Sequence, residues 1–184
     1  MPAKRIILLV ISSFLLIKCA SNLSSVYSFD YPLSNERAYS TLSNISVKIP
    51  DGWYQIEDNE YGTISLWLVK NDLSSSLTFN LINVDDNALD GEPGDALEKV
   101  SWYNQAFVKV KYGKNFTGFQ NQENFELNGK KFIAYQYFTV EKKNVRVVVF
   151  RHKEKFYELI AVSNSGLPDS ELFDVQNAIL TSLE

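Results

Sequence analysis

The chain of 184 residues holds one cysteine, one histidine and one methionine. That scarcity argues against a disulfide framework, zinc fingers, haem, iron–sulfur clusters and histidine-based metal sites. Eight glycines and five prolines are too few for a fibrous or low-complexity protein. Basic excess is missing too: 18 Lys and Arg stand against 22 Asp and Glu, a formal charge of −4. No nucleic-acid partner is expected from that balance. What is present is globular: 45% hydrophobic, 14% aromatic and 22% charged residues. A chain this long folds as one domain and buries roughly 70% of its unfolded surface without covalent staples.

The N-terminus reads as a targeting segment. Lys4 and Arg5 precede an uncharged apolar run, Ile6 to Ile17, of 12 residues. A permanent span needs ~20 apolar residues to cross ~30 Å of hydrocarbon. The run instead has the layout of a secretory signal. The only cysteine follows at once, in Leu15-Leu16-Ile17-Lys18-Cys19-Ala20-Ser21. This string resembles the lipobox of bacterial lipoproteins, in which the cysteine becomes the acylated first residue of the mature chain. Lys18 stands where the lipobox has a small residue. Two other readings stay open: cleavage after Ser21, and an uncleaved short anchor. On the lipoprotein reading, residues 1–18 are a signal peptide and Cys19 is the lipid attachment site. Residues 19–43, rich in Ser and Asn, are read as a polar tether, with the alternative that part of them packs on the domain through Tyr27, Phe29, Tyr31 and Tyr39, and residues 44–184 form the globular domain. Removing residues 1–18 takes away three cations and leaves 15 basic against 22 acidic side chains.

Within the domain, Ile45 to Ile49 alternates apolar and polar and meets the turn Pro50-Asp51-Gly52. Thr63 to Val69 and Leu77 to Val84 read as the next strands. From Ala96 the period lengthens, and Leu97, Val100, Tyr103, Phe107 and Val110 predict the inner stripe of a helix ending near Gly113. Four strands follow: Gln122 to Leu127, Lys131 to Val140, Val145 to Arg151 and Phe156 to Ser163, the first pair joined by Asn128-Gly129. The last two strands are apolar at both parities, so the sheet needs cover on each side. A second helix from Pro168 to Leu183 closes the chain, with Leu172, Val175, Ile179 and Leu183 facing inward.

This order resembles the PsbP-like superfamily, which includes bacterial DcrB-like lipoproteins. The resemblance is carried by Ile45-Ser46-Val47-Lys48-Ile49-Pro50-Asp51-Gly52-Trp53, by a meander containing Tyr135-Gln136-Tyr137 and Arg146 to Phe150, and by Phe156-Tyr157-Glu158-Leu159-Ile160 ahead of the closing helix. It covers about residues 43 to 184. It implies an α+β fold: an α/β/α sandwich with a mainly antiparallel sheet of about six to seven strands flanked by two helices. It also implies accessory, docking or assembly work rather than catalysis.

Motifs for chemistry are few. His152 lies in Arg151-His152-Lys153-Glu154-Lys155, read as a solvated hairpin tip and not as a triad base. An EF-hand loop starting at Asp86 would put Ala88 at the third ligand position and Leu97 where the bidentate Glu belongs, so that pattern fails. No G-x-S-x-G, P-loop or G-x-G-x-x-G string occurs. The expectation is therefore no catalytic residue, no cofactor and no metal. The aromatic excess supplies the candidate interaction surface, Trp53 and Trp102. The expected protein is an exported accessory or docking protein of the bacterial cell envelope. Its membrane contact is the lipid on Cys19, and its partner is an envelope protein. The alternative is a small-ligand module with an aromatic-lined pocket between sheet and helix.

Overall fold

The computed structural model describes residues 29–57, 64–85, 89, 95–164 and 169–184. The leader, Cys19, the first part of the tether, most of the acidic loop after Asp85, and Pro168 lie outside the described residues. Among the described residues, nine strands and two α-helices follow in order: β1 (Leu33–Ser40), β2 (Ile45–Pro50), β3 (Trp53–Ile56), β4 (Leu66–Lys70), β5 (Ser75–Ile82), α1 (Ala96–Tyr112), β6 (Phe119–Leu127), β7 (Lys130–Phe138), β8 (Asn144–His152), β9 (Lys155–Ser163) and α2 (Asp169–Thr181).

Seven strands form one antiparallel sheet in the order β3-β4-β5-β9-β8-β7-β6. Strands β8 and β9 lie inside it, which is why their sequences are apolar at both parities. On one face, Leu68, Leu77, Phe79, Phe132, Val148, Phe150, Tyr157 and Leu159 pack with α2 and the β1–β2 ribbon. On the other, Tyr135, Tyr137, Val145, Val147, Val149 and Phe156 pack with α1. The result is the three-layered α/β/α arrangement.

Two strands were not expected from the sequence. Residues 33–40, assigned above to the tether, pair with β2 from Leu33↔Pro50 to Ser40↔Ile45. The C-terminus locks this ribbon, because Ser46 and Glu184 exchange both backbone hydrogen bonds at 3.1 and 2.9 Å. Arg37 adds a hydrogen bond from Nη2 to the carbonyl oxygen of Ser182, 3.0 Å. The tether therefore stops short of Leu33, and Tyr31 already packs against the core, so the folded unit extends well before Ile45. Sequence periodicity missed β1 because LSNERAYS buries only Ala38 and Ser40 fully, so no apolar alternation marks it. Strand β3 is four residues long and sits at the sheet edge, too short for a pattern.

The hairpin tips separate a favoured turn from a costly one. Asn128 and Gly129 have φ of 51° and 72°, the left-handed pair that Asn-Gly supplies readily. Lys153 and Glu154 occupy the same region at 47° and 66° without a glycine. The turn expected over His152 to Lys155 is thus a tight two-residue tip, with His152 and Lys155 already paired in the ladder.

Candidate functional site

Helix α1 carries the candidate site. Asp95 caps its start, its side chain accepting from the Leu97 N–H at 3.3 Å. That hydrogen bond, then Lys131 at 3.2 Å, holds the Asp95 carboxyl below its ordinary value. Gly113, with φ of 51°, ends the helix by donating its N–H to the Lys109 carbonyl. Lys109 and Lys111 lie in the last turn, at the negative end of the helix dipole.

The buried residues of α1 are Leu97, Val100, Ser101, Asn104 and Val108. The expected inner stripe is therefore corrected at three of its five positions: Leu97 and Val100 face inward, whereas Tyr103, Phe107 and Val110 face solvent. The cause is a polar lock. The Tyr135 hydroxyl donates to Asn104 Oδ1, and Asn104 Nδ2 donates to Glu158 Oε2 at 2.7 Å. The other Glu158 oxygen accepts from Asn80 Nδ2 at 2.9 Å. Burial, with Glu158 nearby, pushes the Tyr135 phenol well above its ordinary value, so it stays a donor. A buried phenol left without a partner costs ~1–3 kcal/mol, and Asn104 supplies that partner in the observed helix orientation. No hydrophobic-periodicity rule contains that information.

The roll leaves an apolar outer face. Trp102 is 65% exposed, Phe107 68% and Val110 79%. Tyr103 flanks them, its ring 5.3 Å from that of Trp102. Open grooves run along both sides of this ridge. One, of about 550 Å³, lies against β6 and β7 and includes Trp102, Lys109, Phe119 and Ile133. The other, of about 590 Å³, lies against β5 and β9 and includes Leu81, Tyr103, Phe107 and Glu158. The surroundings carry both signs: Glu98 and Lys109 line the first groove, and Asp85 and Glu158 line the second.

The two sequence candidates are not brought together. Trp102 is on this face, but Trp53 is only 6% exposed and packs in the core with the β1–β2 ribbon and α2. Trp53 is thus corrected from interaction surface to core. Its place at the start of β3 turns the ring inward. Phe107 and Val110 were missed as surface residues because their spacing from Leu97 suits an inner stripe equally well.

His152 is also corrected. It is buried at the end of β8 rather than solvated. Its ring lies near Tyr157. Desolvation, then the charges of Lys130 and Lys153, lower its pKa from the ordinary 6.5, while a hydrogen bond to the Glu184 backbone opposes the shift. A histidine depressed in the fold contributes stability above about pH 6.5 that is lost as the pH falls through the folded value, because the unfolded chain takes up the proton first. Urea unfolding between about pH 7 and about pH 5.5 is expected to show wild-type stability declining, and His152→Gln removing that dependence. A flat wild-type curve would contradict this burial. Among the described residues, no group of three His, Cys, Asp or Glu side chains is placed to hold a metal ion. Of the acidic loop considered for calcium, only Asp85, Leu89 and Asp95 are described.

No family model and no curated protein sequence matches the chain. Among solved structures, it is similar to the solution structure of cyanobacterial PsbP (CyanoP) from Synechocystis sp. PCC 6803. The TM-score is 0.56, with 12% identity over 81% of this chain and 91% of that one. The fold is PsbP-like. A crystal structure from Bacteroides thetaiotaomicron is matched more loosely, with TM-score 0.37, 12% identity, and coverage of 76% of this chain and 44% of that one. The PsbP-like match agrees with the two helices, the mainly antiparallel sheet and the ribbon described above. Among the described residues no helix is long and apolar enough to cross a membrane.

Proposed function

We propose that this is an exported, lipid-anchored accessory protein of the bacterial cell envelope that works by docking rather than by catalysis. The observation that carries the docking role is the outer face of α1, where Trp102, Phe107 and Val110 stand in solvent while Asn104 is buried. Large exposed aromatics side by side mark contact surfaces more often than they mark reaction centres. The PsbP-like fold is consistent with accessory work. The export and anchoring parts rest on Lys4, Arg5, the run from Ile6 to Ile17, and Cys19. The contact face and the anchor then act together, the lipid supplying local concentration and the face supplying orientation.

Cys19→Ala is expected to move the protein from the membrane fraction to the soluble fraction of lysed cells. Retention of the variant on membranes would sink the lipid anchor and favour an uncleaved apolar segment. For the docking part, a photo-crosslinking amino acid at position 110 is expected to capture an envelope component in intact cells. The expected envelope-protein partner is one outcome of that experiment.

The second reading, a small-ligand module, is favoured by one feature. The groove of about 590 Å³ lies between sheet and helix, and Glu158 is held there by two amides beside Tyr103 and Phe107. Native mass spectrometry separates the two: a retained small molecule with no crosslink at position 110 would replace docking by ligand binding.

A further inference from the structure

We infer that the groove between α1 and the β6–β7 hairpin binds a neutral glycan carrying acetamido groups. This rests on the docking reading above and names the occupant of the Trp102 side of that face. Trp102 lines a groove of about 550 Å³, within the ~300–1,000 Å³ of small-molecule sites. The face of an indole is electron-rich, and a pyranose presents C–H groups made positive by their neighbouring oxygens, so ring and sugar stack. At 65% exposure the Trp102 ring is open to such a partner.

Amides set the rest of the chemistry. Gln122 Nε2 donates to Gln105 Oε1 at 2.7 Å, and Gln105 Nε2 donates to Ser101 Oγ at 3.3 Å, a chain that crosses from β6 to α1. Asn124 lines the same groove. Each amide carries two N–H donors and an acceptor oxygen, and this chain uses only part of that capacity. A hydroxyl donates and accepts at once, so it needs a lining that does both. A phosphate calls for donors alone and an ammonium for acceptors alone. The charges agree with a neutral ligand, because Glu98 and Lys109 contribute one of each sign. An acetamido group adds an N–H, a carbonyl and a methyl. The amides serve the first two, and Phe119 and Ile133 give the methyl an apolar wall.

The groove is long rather than round. Glu98 and Lys109 are separated by about 16 Å of helix at 1.5 Å per residue. A second hollow of about 300 Å³ continues it, sharing Glu98, Asn124 and Ile133 and reaching Asp95 and Lys131. That end is neutral too, since Lys131 pairs with Asp95 at 3.2 Å. Strand β6 is the sheet edge, so no further strand closes that side. Such a groove suits a chain of sugars better than a single ring.

The test uses the full chain in a zwitterionic detergent without sugar headgroups, titrated with triacetylchitotriose, a trisaccharide of N-acetylglucosamine. Saturable protection of Trp102 from iodide is expected, read as the difference between wild type and Trp102→Phe. Raising salt to 0.5 M (about a 4–5 Å Debye length) is expected to leave the affinity unchanged, as a neutral ligand requires. By calorimetry, Trp102→Ala is expected to weaken binding about tenfold, the size of one stacked-ring contact. Gln122→Ala and Asn124→Ala are expected to weaken it about fivefold each, the size of one hydrogen bond. Cellotriose, with hydroxyls in place of the acetamido groups, is expected to bind at least about fivefold more weakly. Equal binding of cellotriose would overturn the acetamido assignment. No protection of Trp102 by about 10 mM triacetylchitotriose, ten times a dissociation constant of about 1 mM, would overturn the inference. A crosslink from position 110 into one protein, with Trp102 unprotected by the sugar, would also overturn it while leaving the docking reading standing. Absence of both crosslink and protection would remove the docking reading as well.

Discussion

Arg146→Ala is expected to lower the unfolding free energy by about 3–5 kcal/mol, the range for breaking a buried charge network by removing one partner. Arg146 is buried on the α2 side of β8. Its Nη1 donates to Gln176 Oε1 and Asn177 Oδ1, both at 2.8 Å, and its Nη2 lies 3.6 Å from Glu123 Oε2. The guanidinium also sits 5.8 Å from the Phe125 ring centre and 5.5 Å from that of Phe173. Alanine removes the shared donor and leaves two buried amide oxygens without it. Gln176 cannot turn away, because its Nε2 is already donating to the carbonyls of Arg146 and Leu159 at 3.2 and 2.7 Å. For a domain of this size the loss corresponds to a Tm lower by about 10–15 °C. Arg146→Lys is expected to recover only part of it, since an ammonium on a flexible stem does not reproduce the planar fork. Glu123→Gln is the mild control, because that carboxylate is partly exposed and 3.6 Å away. Urea unfolding of the three variants checks the series. A cost for Arg146→Ala below about 1 kcal/mol, the typical size of a surface substitution effect, would show that the network does not hold α2 to the sheet.

Two phenylalanines of opposite burial give the second large contrast. Phe150 is fully buried, edge-on to Phe79 at 6.3 Å and 5.7 Å from both Phe132 and Tyr157. Phe150→Ala opens a cavity among rings that cannot collapse into it, with an expected cost of about 3–5 kcal/mol. Phe107→Ala, on the outer face of α1, is expected to fall within about 0.5 kcal/mol of wild type. The pair tests the roll of α1 directly. If the helix presented Phe107 to the sheet, as the hydrophobic period alone suggests, the two substitutions would cost similar amounts. Comparable losses in denaturant unfolding would return Tyr103, Phe107 and Val110 to the core and remove the contact face.

Much of the fold was legible because burial on a sheet leaves a local trace. The strands expected over 45–49, 77–84, 145–151 and 156–163 appear within a few residues of those bounds. Val147, Val148 and Val149 require partners on both faces of β8 whatever the rest of the chain does. Asn128-Gly129 specifies its hairpin through backbone geometry alone. Polar strands left no such trace. Strand β1 is held by backbone pairing, by Arg37 and by the C-terminus, whose pairing partner Ser46 is well over a hundred residues away in sequence.

The candidate site was legible only in part. Trp102 could be named from its side chain, but so could Trp53, and only packing separates them: one ring closes the core under the ribbon while the other projects from α1. The sequence by itself determined the need for cover on both sides of the sheet, the helix positions and the hairpin signal, because each follows from periodicity or turn chemistry within about ten neighbouring residues. Which side of α1 meets the sheet was decided by tertiary structure. Tyr135, Glu158 and Asn80 come from three different strands, and only the assembled sheet joins Tyr135 and Glu158 to Asn104, with Asn80 on the other Glu158 oxygen, a network that hydrophobic periodicity does not encode.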